Sequence, residues 1–107
     1  MLYKFKSKDS ADVIMMGSSG DHMLSLLGRA PSAKGIVEVS DLPAAIAALE
    51  RAIADDEAAW ARAQADAKAD GKQLPPREGV SLRQRAWPLL EMMRRAYAHQ
   101  HQLTWGV

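Results

Sequence analysis

LYKFKSKDSADVIMM, residues 2–16, decides the fold of this chain. Tyr3 and Phe5 alternate with Lys4, Lys6 and Lys8, so the first residues read as a strand with one apolar face and one wet face. Residues 7–11 are polar enough for a turn. Asp12–Met16, DVIMM, is a short β-branched and apolar run, which predicts a second strand pairing with the first in a hairpin.

The next stretch, MMGSSGDHMLSLLG at residues 15–28, has the outline of strand, tight loop and helix. Many phosphate sites share that outline, so Gly17, Ser18, Ser19 and Gly20 are candidate anion contacts. The details argue against a nucleotide loop. A P-loop needs G-x-x-x-x-G-K-[ST], whereas Asp21 and His22 follow Gly20 here. A dinucleotide fingerprint needs a third glycine, and Asp21 repels phosphate. The simpler expectation is a tight turn and a short helix over Asp21–Leu27. Ser19 caps it, Met23, Leu24, Leu26 and Leu27 form its apolar side, and Gly28 ends it in the left-handed conformation.

Ile36–Val39 suggests a short extended piece. Ser40 and Asp41 then offer caps, and Pro43 falls in a first helical turn, where its missing N–H does no harm. Leu42, Ile46, Leu49, Ile53 and Trp60 recur at helical spacing on an alanine background, predicting a helix to about Ala67. Steps of four, three and four resemble a coiled-coil seam, broken at Asp56. The stripe either packs on the chain's own sheet or meets a partner. Ile53 and Trp60 are therefore the candidate interaction surface, because tryptophan is enriched where interfaces concentrate their energy.

ADGKQLPPREG carries two glycines and two prolines and reads as a loop, variable or flexible over about residues 68–79. Ser81 and Gln84 form a capping box ahead of a second long helix, with Leu82, Ala86, Leu89, Leu90, Met93 and Tyr97 facing inward. Pro88 either kinks that helix or marks its start. LTWGV, residues 103–107, reads as a closing strand beside the N-terminal one. Tyr3, Phe5, Trp87 and Trp105 are expected in the core or at its rim.

The 107 residues fit a single domain over 1–107. There is no cysteine, which excludes disulfides, thiolate metal sites and a cysteine nucleophile. The N-terminus lacks a signal-peptide apolar region, and no run approaches a membrane span, so a cytoplasmic setting without membrane association is expected. Charge is uneven: residues 41–70 hold 3 Lys/Arg against 7 Asp/Glu, and residues 71–107 hold 6 against 2. Either the two segments attract each other or both are solvated. Arg83, Arg85, Arg94 and Arg95 lack the aromatic companions of a nucleic-acid surface.

His99 and His101 share a side if the segment is extended, but no acidic or thiol ligand accompanies them locally, so no metal site is expected. Ser18, Ser19 and Ser25 near His22 lack a nucleophile elbow, and Asp55, Asp56 and Glu57 fan around a helix. These groups give no catalytic constellation and imply no cofactor.

MLYKFKSK with DVIMM, GIVEVSDLPAAIAALERAI, VSLRQRAWPLLEMM and the closing TWGV together resemble a small proteobacterial family catalogued only as a domain of unknown function. The likeness leaves out about residues 58–79. It implies a short mixed α and β protein and brings no catalytic residues. The expected architecture is α+β: a small antiparallel sheet of the N-terminal, second and C-terminal strands, packed against two longer helices and one short one. The expected role is a non-enzymatic protein-interaction module whose partner is a second copy or another protein. The alternative is a small-ligand or anion-binding domain using the Gly17–Asp21 turn and the basic C-terminal helix.

Overall fold

A computed structural model of the chain describes residues 2–75 and 79–106. β1 (Leu2–Ser7) and β2 (Ser10–Met16) form the expected hairpin. α1 (Gly17–Leu26), β3 (Gly35–Val37), a 3-10 turn at Val39–Asp41, α2 (Leu42–Ala69), α3 (Leu82–Ala98) and β4 (Leu103–Trp105) follow. The strands make one antiparallel sheet in the order β2-β1-β4-β3. The fold is α+β, with a fourth strand beyond the three expected. The Ile36 segment is that strand, and Gly35 admits it: a Cβ there would lie 2.3 Å from the Trp105 ring.

The helices cover one face only. Tyr3, Phe5, Met15, Val37, Leu103 and Trp105 point into the core from that face. Tyr3 stacks on Phe5 at 5.9 Å, and Phe5 meets Trp105 at 5.8 Å in a tilted pair, both common aromatic geometries. The Trp105 indole N–H donates to the Ser32 carbonyl at 3.0 Å, so its one polar atom is satisfied.

GSSG is not a loop. Helix α1 begins at Gly17, directly after β2, and Met16 stands at the N-cap without a side-chain bond, so Ser19 does not cap it. The reason is close packing. Gly20 sits under the Tyr3 ring, where a Cβ would lie 2.0 Å from Tyr3 Cδ2. The Tyr3 hydroxyl donates to the Asp21 carboxylate. That bond, then burial and the negative charge, hold the Tyr3 pKa above its ordinary value.

α2 packs on α3 and α1. Leu42, Leu49 and Ile53 are buried and Ile46 partly so; the stripe is spent within the chain. Ser40 and Asp41 lie in the 3-10 turn and give no side-chain cap, although Pro43 does occupy the first turn. Asp41 instead pairs with Arg29 at 3.7 Å. The expected loop overlaps only the last two residues of α2, which ends at Ala69; residues 76–78 lie outside the described residues. α3 has the capping box complete in both directions between Ser81 and Gln84. It runs unbroken through Pro88. Pro88 and Gln84 are both exposed, so the carbonyl that loses its donor faces water.

All three helices end in the same hydrogen-bond pattern. The two residues after the last turn return bonds to carbonyls three and five residues back: Gly28 and Arg29 in α1, Gly71 and Lys72 in α2, Gln100 and His101 in α3. The left-handed residue is glycine in α1 and α2, at φ 81° and 70°. In α3 it is Gln100, at φ 60°.

Candidate functional site

The left-handed turn at Gln100 carries His101 toward the β1–β2 hairpin. There His101 Nδ1 lies 2.7 Å from Asp9 Oδ2. Asp9 is 17% exposed and His101 39% exposed at the side chain. With Asp9 as a carboxylate, Nδ1–H donates to it, which fixes the ring and leaves Nε2 as the uncommitted nitrogen. His99, the expected companion, is the exposed C-cap of α3 and does not join it. His22 is exposed on α1. Among the described residues no three His, Cys, Asp or Glu side chains are grouped as metal ligands.

A cleft of about 500 Å³ opens here, between the hairpin and the turn that joins α3 to β4. Lys6, Ser7, Lys8 and Asp12 line it from the hairpin, and Gln100, His101, Gln102 and Thr104 from the opposite side. The pairing register slips between Phe5 and Ser7. Ala11 and Asp12 therefore oppose Lys6 alone, a bulge of the kind that re-aims side chains. Ser7 Oγ and Ser10 Oγ are buried and have no hydrogen-bond partner among the described residues. Sequence reasoning missed this site. Asp9 and His101 are 92 positions apart, and neither has a local signature.

The other end of the uncovered sheet face is apolar. Leu2 pairs across from Met16, and Lys4 from Ile14. Leu2, Ile14 and Met16 are 62%, 59% and 66% exposed. The Lys4 ammonium lies 3.7 Å from Asp12, so the charge nearest this patch is offset. β2 is an edge strand, and it carries neither lysine nor proline.

The sequence-predicted residues fall elsewhere. Ile53 is buried between helices and cannot face a partner; Trp60 is half-buried on α2. Gly17–Gly20 form the first turn of α1, with Gly20 covered by Tyr3. Tyr97 and Trp87 were expected inward or at the rim, but both are exposed on α3. Trp87 lies beneath two guanidiniums, 6.0 Å from Arg83 and 5.3 Å from Arg94. Arg83 donates twice to Glu57, at 2.9 and 2.8 Å. Arg94 bridges Glu50 at 2.8 Å and Glu91 at 2.7 Å. These bonds raise both arginines above their ordinary pKa. The acidic middle and the basic tail thus meet across α2 and α3.

Comparison with known protein families matches residues 1–105 to the family described as a domain of unknown function, DUF1840. The chain belongs to that family. Neither the curated proteins nor the solved structures contain a match. No helix among the described residues is long and apolar enough to cross a membrane.

Proposed function

We propose that this DUF1840 chain is a non-enzymatic interaction module, that its partner is a second copy of itself, and that the contact is the free edge of β2. The observation carrying this is the exposure of Ile14 and Met16, at 59% and 66%, on an edge strand without a blocking lysine or proline. Antiparallel pairing of two β2 strands centred on Ile14 sets Ile14 against its equivalent and Asp12 across from Met16. No like charges meet in that register, and the apolar residues of both copies merge with the two Leu2 side chains. The register uses residues 12–16, of which only Asp12, at its end, belongs to the bulge opposite Lys6. Ile53 and Trp60 have no part in this contact.

Native mass spectrometry of the untagged chain tests it. The expected result is a dimer that becomes a monomer in Ile14→Lys, with the circular dichroism spectrum unchanged. A wild-type monomer at every concentration overturns the reading, and so does an Ile14→Lys variant that stays dimeric.

A further inference from the structure

We propose that the cleft at the hairpin end binds a small phosphate monoester. The cleft lies at the end of the hairpin opposite Leu2 and Met16, and Asp12 alone belongs both to it and to the β2 contact. Lys6 and Lys8 both line it, and among the described residues neither has an acidic partner. Two lysines lining one space suit a dianion, the charge a phosphate monoester carries near neutral pH. The remaining lining supplies donors. Thr104 brings a hydroxyl and Gln102 an amide, while the Gln100 amide donates to the Tyr97 carbonyl at 2.7 Å.

The acidic side chains nearby are already engaged. Asp12 lies 3.7 Å from Lys4, and Asp9 holds His101. With Nδ1 on Asp9, His101 has Nε2 left for the ligand. The volume of about 500 Å³ exceeds a bare phosphate and falls in the range of small-molecule sites. A small organic body therefore fits beside the phosphoryl group, with Val39 as its apolar wall.

The test is an amide NMR titration with inorganic phosphate and, separately, with glycerol phosphate. Both are expected to shift Lys6, Lys8, His101 and Thr104 saturably, glycerol phosphate the more tightly. The Lys6→Gln/Lys8→Gln variant should bind at least about tenfold more weakly. Lys68→Gln/Lys72→Gln, with the same net charge, should bind as the wild type does. The lysines are exposed, so both variants keep the fold. Unsaturable shifts, equal losses in the two variants, or acetate binding as tightly as phosphate would each overturn the proposal.

Discussion

The two faces of one sheet follow opposite rules. On the covered face, Tyr3, Phe5 and Trp105 are packed ring against ring, and glycine is required where an element must come close. On the open face, alternate residues of the same strands are Leu2, Lys4 and Lys6, and Ile14 and Met16. The covered face explains why the chain folds. The open face contributes little to folding, and its apolar end and polar cleft call for another explanation. The comparison predicts that substitutions on the first face change stability and those on the second change binding.

Gly20→Ala should have the largest effect. Its Cβ would enter the Tyr3 ring, and overpacking of this kind costs about 3 kcal/mol, outweighing the roughly 1 kcal/mol of helix preference gained. A denaturant midpoint at or above wild type would break the comparison at its firmest point. Tyr3→Phe comes next, at about 1.5 kcal/mol near neutral pH, for the lost bond to a carboxylate. This bond also fixes a pH dependence. The folded Tyr3 pKa is raised, so its contribution is complete below the unfolded tyrosine value of about 10. Above it, the unfolded chain loses the proton first and stability falls until folded Tyr3 itself ionises. Unfolding curves between neutral and alkaline pH should show that loss in the wild type and a smaller one in Tyr3→Phe.

Smaller effects sharpen the contrast. Gln100→Gly should change the melting temperature little, within about 0.5 kcal/mol, because relief at φ 60° is offset by loss of the amide bond to the Tyr97 carbonyl. Ile14→Lys should shift stability by no more than about 0.5 kcal/mol in the monomer, since the side chain is exposed. A large loss of monomer stability there would erase the distinction between the faces.

Most of the fold was legible in the sequence. Alternation in LYKFKS, the Ser81–Gln84 box and the apolar steps of α2 and α3 each carry a local signal that the packing respects. The open apolar end was hidden because every residue of VIMM is apolar, so period two cannot show which side is buried. GSSG misled because glycine serves both turns and close helix packing, and only the Tyr3 ring decides between them. Trp87 and Tyr97 sit at the margin of α3, where helical spacing alone does not separate core from rim. The attraction between the acidic and basic segments was foreseen as one of two readings, and Arg83 with Glu57 and Arg94 with Glu50 realise it. The cleft had no local signal at all, since it joins the first twelve residues to the last eight.

Amide hydrogen exchange along β2, at two protein concentrations, tests the central claim most directly. A strand paired with a second copy should show outward amides over residues 12–16 that are protected, the more so at the higher concentration, while the opposite edge at β3 exchanges equally fast at both. Outward β2 amides that exchange fast and independently of concentration would contradict the account.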